Sequence, residues 1–292
     1  MNSKDLSTFL WVAELGGIRR AAEHLHLSQP AVSARIAKLE QVLECELFER
    51  LAGGMRCTRA GERLLVYARQ SHELQQRIEL DLKGAQAVEC ELRLGVSETI
   101  VQAWLPELLS AINSAYPQVN VSVTVDTSAN LREQLLARSL DLAVLMGPVS
   151  DFSVDNKGLP PFELGWYRSA KTPASAIEPI DFKQQPVISY ATHTRPYREL
   201  ADELLQRYGS CARIFPSSSL FACLKMIEAG LGVGAMPKLL AEPACARGEL
   251  RSFDPGWLPP ALNFTVSTVA TPRNVVAEQV AALAVTVAEQ AM

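Results

Sequence analysis

The sequence predicts an α/β chain in three parts: a small helical head, a helical connector, and a large body in which strands and helices alternate. Three observations carry this. SQPAVSARIAKLEQVL (28–43) opens with a helix-capping serine and an early proline, then repeats apolar residues at helical spacing. ERLLVYARQSHELQQRIELDLK (62–83) contains neither glycine nor proline and is rich in helix formers. From residue 92 onward, strand-like runs such as LRLGV and VNVSVTV alternate with helix-like ones, and the pattern restarts near residue 166.

The bulk numbers bound the reading. At 292 residues the chain is longer than one typical domain. It is 48% hydrophobic and 21% charged, the balance of a globular chain rather than a disordered one. No apolar run approaches the roughly 18 residues needed to span a bilayer. The opening MNSKDLSTFLW lacks the basic start and long apolar stretch of a secretory leader. A cytoplasmic protein with no membrane partner is expected. The six cysteines (45, 57, 90, 211, 223 and 245) form no CxxC pair and no Cys/His cluster, so neither a metal nor another cofactor is expected. They read as reduced, mostly buried thiols, with Cys211 and Cys223 as a redox-sensing alternative. Net charge is −4, yet residues 1–65 hold nine Lys/Arg against eight Asp/Glu, so the acidity lies in the body. A near-neutral head can still bind nucleic acid, because contact depends on which face carries the cations.

In the head, Leu6, Phe9, Leu10 and Ala13 space an amphipathic helix over 4–14, with Ser3 as the expected N-cap and Gly16–Gly17 as its stop. A second helix follows at about 18–25, and His26–Leu27 make the turn. In the third, Val32, Ile36, Leu39 and Leu43 form one stripe predicted to be buried. Gln29, Ser33, Arg35 and Lys38 fall off it, with side chains that hydrogen-bond base edges and phosphates. This helix-turn-helix is expected to dock its third helix in a DNA major groove. Short strands at about 46–50 and 55–58 flank an Ala52–Gly53–Gly54 tip, and Arg50, Arg56 and Arg59 lie on or beside this basic hairpin, or wing.

AAEHLHLSQPAVSARIAKLEQVLECELFER followed by TRAGERLL resembles the N-terminal signature of the LysR-type transcriptional regulators. The matching pieces are Ala21–Ala22, the run Ser28–Gln29–Pro30–Ala31–Val32–Ser33, Leu39–Glu40, Leu47–Phe48–Glu49–Arg50, Thr58 and Gly61. The chain departs from the family at Glu44, usually glycine, at Gly17–Ile18, often Ser-Phe, and at Cys57, usually leucine. The resemblance implies a winged helix-turn-helix over 1–60, a dimerising linker helix and hinge over 61–88, and an effector domain like a periplasmic binding protein over 89–292. Its lobe I covers about 89–163 and 265–292, its lobe II about 164–264. It further implies that Gln29, Pro30, Ser33, Arg35 and Lys38 face DNA, that Arg50 and Arg56 support from the wing, and that homodimers assemble into homotetramers, with RNA polymerase as a further partner. No catalytic residues are expected.

In the connector, Leu64, Tyr67, Ser71, Leu74 and Ile78 repeat every seven residues, the seam of a two-stranded coiled coil or, equally, the face of one helix packed on its own body. Residues 84–91 read as the hinge. In the body, strands are expected at 92–96, 119–125, 141–146, 166–170, 186–191 and 212–215. Helices are expected at about 100–115, 130–138 and 196–208 and after 219, the last followed by a glycine turn and a short strand, and one strand and one long helix close the chain. This alternation argues a parallel, doubly wound sheet, which binds ligands at the carboxyl ends of its strands. The residues there are Ser97, Thr99, Thr127, Ser128, Met146, Gly147, His193, Thr194, Arg195 and Ser217–Ser219. Ser97, Thr99, Ser128, Met146, His193, Thr194, Arg195 and Ser218 are the candidate effector site. Hydroxyls at helix starts and an arginine that can clamp a carboxylate point to a small anionic effector, with Thr99 and Ser128 also matching the family by position. Gly230–Leu231–Gly232–Val233–Gly234 lacks the Lys-Ser/Thr of a phosphate loop and reads as a helix-ending turn. An enzyme is disfavoured because no nucleophile elbow, Walker sequence, dinucleotide fingerprint or metal cluster occurs. A solute-binding protein leaves the head unexplained. The expected function is a sequence-specific, effector-responsive transcription regulator, with the redox regulator as its alternative.

Overall fold

The computed structural model describes residues 2–51, 54–83, 90–172, 182, 184–209, 213–271 and 273–291. The expected hairpin tip at 52–53, most of the hinge (84–89) and Cys211 lie outside these residues, as does the Arg50 side chain.

The head is built from α1 (Ser3–Leu15), α2 (Ile18–His24), α3 (Gln29–Leu43) and a hairpin of β1 (Phe48–Leu51) and β2 (Gly54–Cys57). The cap of α1 is Asn2 rather than Ser3. The Asn2 carboxamide accepts from the Asp5 N–H at 2.8 Å, and the Asp5 carboxylate accepts the Asn2 N–H in return. Ser28 caps α3 as its sequence predicts, accepting from the Ala31 N–H at 3.3 Å. Val32, Ile36 and Leu39 meet Phe9, Leu10, Ala21 and Ala22 in one buried core. Leu43, the fourth member of the expected stripe, is exposed at the end of the helix. There α3 stops on Glu44, whose φ of 51° is left-handed. Gly61 permits the hairpin to close on the connector: a Cβ there would sit 2.2 Å from the Leu47 carbonyl oxygen.

The connector is one helix, α4 (Arg59–Lys83). Its expected seam divides. Leu64 packs with Leu65 and Ala68 on the head core, while Tyr67, Leu74 and Ile78 stay exposed beside Val66 and Leu82.

The body contains two five-stranded sheets. The first joins β3 (Cys90–Val96), β4 (Val119–Val125), β5 (Leu142–Met146), β6 (Val154–Gly158) and β12 (Phe264–Val269) in the order β4-β3-β5-β12-β6. The second joins β7 (Leu164–Ser169), β8 (Val187–Tyr190), β9 (Ile214–Ser217), β10 (Val233–Pro237) and β11 (Leu250–Phe253) in the order β11-β7-β10-β8-β9. Both are mixed, which corrects the expectation of a purely parallel sheet. β12 runs antiparallel to β5, and β7 antiparallel to β10. These are the strands by which the chain enters each lobe from the other. They start at the edge where the parallel strands end, and so run back against them. The two crossing segments pair with each other at Phe162 and Leu262, exchanging two backbone hydrogen bonds of 3.0 Å. β6, β11 and α10 (Lys238–Ala246) carry no periodic pattern strong enough to predict them. The expected helix at 100–115 is two, α5 (Glu98–Ala103) and α6 (Leu105–Ala115), broken at Trp104, with Pro106 in the first turn of the second. The remaining helices are α7 (Ser128–Leu136), α8 (Arg195–Tyr208), α9 (Leu220–Glu228) and α11 (Val275–Ala291). The α11 face of Val276, Ala277, Val280, Ala281, Ala284 and Ala288 covers the first sheet with Trp104 and Leu108. In the second lobe Trp166, Phe182 and Trp257 pack edge to face, and the Trp166 Nε1 donates to the Trp257 carbonyl at 3.0 Å.

The head docks on the first lobe. The Glu14 carboxylate takes Arg69 of α4 on one oxygen and Arg138 of the body on the other, each at 2.7 Å. Beside it, His24 stacks on Trp11 with ring centroids 3.8 Å apart, and its Nδ1 lies 3.3 Å from Arg93, which is itself paired with Asp141. Burial first, and the Arg93 charge second, push the His24 imidazole from its ordinary value near 6.5 down to about 4, and burial lowers His72 as well.

Two predictions follow from this packing. Between pH 6.5 and about 4 the unfolded chain protonates His24 while the folded chain does not. Stability therefore falls as pH drops through that window, and thermal unfolding at pH 7.5 and 5.5 should show it as a lower acid Tm. His24→Phe, which keeps the stack on Trp11, should shrink the difference. Separately, Glu44→Gly relieves the left-handed backbone and should stabilise the chain by about 1 kcal/mol, read from chemical denaturation.

Candidate functional site

On the head, Gln29, Pro30 and Ser33 are exposed at the start of α3, on the face away from the buried stripe. Arg35 and Lys38 are less free than their spacing predicts. Arg35 is half-buried and donates from Nη1 to the Thr8 hydroxyl at 3.2 Å. The Lys38 ammonium lies 3.6 Å from the buried Asp5 carboxylate, with most of its side chain still in solvent. Both are therefore positioned by α1 while remaining near the outer face. Arg56 is exposed on β2, opposite Glu49.

In the body, a cleft of about 730 Å³ lies where the parallel strands of both sheets end. All eight effector-site candidates line it. Their local roles differ. Thr194 caps α8, donating to the Ala191 carbonyl at 2.7 Å and accepting the Tyr197 N–H. The Ser128 hydroxyl accepts the Met146 N–H at 2.9 Å, which ties α7 to the end of β5. Arg195 is paired with Glu199, one helical turn on, at 2.6 Å. His193 and Ser218 are exposed at the rim. Ser97 begins α5 without capping it. Its hydroxyl is buried with no hydrogen-bond partner among the described residues.

Five lining groups escaped the sequence reading: Glu98, Asp126, Arg132, Tyr190 and Arg198. Arg132 and Arg198 sit on α7 and α8 one turn after Ser128 and Thr194, and helical phase was the available signal. The Tyr190 hydroxyl is buried and unpartnered like that of Ser97, and burial holds its pKa far above the ordinary tyrosine value. Glu98 crosses the cleft. Its carboxylate accepts from the Ser219 hydroxyl and from the Leu220 and Phe221 N–H groups at 2.9, 2.6 and 3.2 Å, so an acid of the first lobe occupies the start of α9 in the second. Asp126 is likewise committed, to Thr127, Asn130 and Gln134. Both acids of the cleft are thus internally satisfied, while Arg132 and Arg198 make no side-chain hydrogen bond or ion pair among the described residues. The balance of available groups favours an anion.

The cysteines and glycines are quieter. Cys223 is buried, donates to the Ser189 carbonyl, and has its thiol pushed by burial to about 11, so it is not a thiolate at neutral pH. Among the described residues no group of three His, Cys, Asp or Glu is placed to hold a metal, and no helix is long and apolar enough to cross a membrane. Gly230, at φ 78°, turns the chain out of α9 as expected.

The known proteins that this chain resembles agree with its two-part construction. Residues 3–62 match the family model for the bacterial regulatory helix-turn-helix protein of the lysR family, and residues 85–291 match the LysR substrate binding domain. The chain is 32% identical over 239 residues to the HTH-type transcriptional regulator YofA of Bacillus subtilis, covering 82% of both proteins. It is 30% identical to the transcriptional activator protein LysR of Escherichia coli, covering 92% of this chain and 86% of that one. Full-length LysG of Corynebacterium glutamicum, solved with bound effector Arg, has the same fold at a TM-score of 0.67 and 20% identity, over 100% of this chain and 99% of that one. With a helix-turn-helix model matched at one end and a substrate-binding model over most of the rest, this chain belongs to the LysR family of DNA-binding transcriptional regulators with an effector-binding domain.

Proposed function

We propose that the protein reads a specific promoter sequence through Gln29, Pro30, Ser33, Arg35 and Lys38, with Arg50 and Arg56 on flanking phosphates, and that a small organic carboxylate held in the interlobe cleft changes that binding. The division of labour is 1–60 for DNA, 61–88 for the linker and 89–292 for the effector. The observation that carries the effector half is the pair of buried, unpartnered hydroxyls of Ser97 and Tyr190 in a cleft whose free charges are the guanidinium groups of Arg132 and Arg198. Buried polar groups are rarely left without partners, and a ligand carboxylate with a donor or acceptor of its own supplies them. LysG carries an amino acid, which has such a carboxylate. The exposed row of Tyr67, Leu74 and Ile78 on α4 supports pairing of two chains, so that two heads meet two half-sites, and dimers then assemble to a tetramer. The effector acts by binding the closed and open arrangements of the lobes unequally, which moves the heads on DNA and their contact with RNA polymerase. The redox alternative is disfavoured by the protonated, buried Cys223.

The DNA half is tested by binding of the purified protein to its own upstream intergenic DNA and to a scrambled duplex across a salt series. Preference for the native duplex with a steep salt slope is expected. Gln29→Ala should cut that preference by about tenfold or more, the scale of one bidentate base contact. Equal binding to both duplexes by the unaltered chain would refute specific recognition there. The effector half is tested by a thermal-shift screen of small carboxylates, amino acids included. A ligand that raises Tm should lose at least tenfold in affinity in Arg198→Ala and Ser97→Ala and be unaffected by Cys223→Ser.

A further inference from the structure

The second lobe contains another cavity, of about 140 Å³, at the opposite end of its sheet from the cleft. Arg168 near the end of β7, Thr172 just beyond it, Gln184 and Gln185 ahead of β8, and the Gly230–Gly232 turn leading into Val233 of β10 bound it. β10 runs antiparallel to β7 and parallel to β8, so these segments meet at one edge, while Tyr190 and Ser217 face the cleft at the other.

Arg168 is only 9% exposed, and its Nε and Nη1 are buried without a hydrogen-bond partner among the described residues. Its compensation is the Phe253 ring, 5.8 Å from the guanidinium carbon. An arginine does not deprotonate inside a protein, and a buried charge without a hydrogen-bonded counter-charge is costly. Among the described residues, no aspartate or glutamate lines the cavity. The turn that closes it is pressed tightly into place: a Cβ on Gly232 would lie 2.3 Å from the Pro186 carbonyl oxygen. The result is a small polar chamber with a cation and, among the described residues, no carboxylate to pair with it.

We propose that Arg168 anchors a second anion site, separate from the cleft, for a small oxyanion whose oxygens accept from the guanidinium fork. At roughly 30 Å³ per water molecule the chamber corresponds to about four or five waters, room for an ion of phosphate or acetate size and too little for a larger metabolite. Thr172 and the two glutamine side chains supply the neutral hydrogen-bonding groups around it. A free ion and the end group of a small metabolite share this chemistry, tetrahedral or planar.

The test is calorimetric titration of the full chain with inorganic phosphate, sulfate and acetate in separate arms, ionic strength held constant with sodium chloride. At least one ion should bind saturably, and the preferred arm tells a tetrahedral anion from a planar one. Arg195→Ala, in the cleft, should bind it like the unaltered chain, while Arg168→Gln should bind at least tenfold more weakly. Arg168→Lys keeps the buried charge without the fork, so it serves if the glutamine variant does not fold, and it too should bind more weakly. Absence of saturable binding in all three arms overturns the proposal. So does unchanged affinity in the folded Arg168 variant, or loss of binding in Arg195→Ala.

Discussion

Glu14 leaves the first helix of the head and is buried where head, connector and body meet, its two oxygens shared between Arg69 and Arg138. The two guanidinium groups compensate the carboxylate there, and losing either one would leave it less well paired in a site where an unpaired charge is costly. The arrangement imposes conditions on three parts of the chain at once. Arg138 adopts a left-handed backbone, at φ 59°, and its guanidinium also donates to the Thr271 carbonyl. Arg69 must stand on the face of α4 that turns toward α1, which sends Tyr67, Leu74 and Ile78 outward. The neighbouring contact of His24 with Trp11 and Arg93 then closes the same junction with a neutral imidazole. The orientation of the head relative to the first lobe is thus set by a few polar contacts rather than by a broad apolar surface, the kind of junction that a modest free energy can shift.

The cleft rests on a different logic. Its walls are made where parallel strands end and helices begin, so hydroxyl caps and arginines near the helix starts gather there without any local sequence cluster. Glu98 gives the second lobe a carboxylate at the start of α9 from within the chain. That helix end is therefore already answered, while the Ser97 and Tyr190 hydroxyls and the guanidinium groups of Arg132 and Arg198 make no hydrogen bond or ion pair among the described residues.

How much of this was legible in the sequence depends on the range of the interaction. The head was readable because its signals are local: Ser28 and Pro30 start a helix, and Val32, Ile36 and Leu39 mark its buried side. The unusual Glu44 was visible as a departure, and its left-handed backbone explains why glycine is usual there. The eight cleft residues were placed together because each lies at or just beyond a strand end, a rule about fold rather than about neighbours. Strand direction was not readable, since the two-residue repeat of β7 or β12 is the same whichever way the strand runs. Neither were the interlobe bond from Glu98, the docking of His24 on Arg93, or the unpartnered Arg168, because each depends on residues brought together from distant parts of the chain. Ser3 and Asn2 differ by one position, and only the reciprocal bond from Asp5 decides between them.

The two segments that cross between the lobes are bonded to each other at Phe162 and Leu262. Covalent geometry fixes the length of each, and their mutual bonds keep them from sliding past one another, but a ribbon of two strands bends and twists readily. The lobes therefore have rotation as their soft coordinate and separation as a stiff one. Any change in the angle between the lobes is then a torque about that ribbon, and its leverage on distant parts of the chain grows with their distance from it.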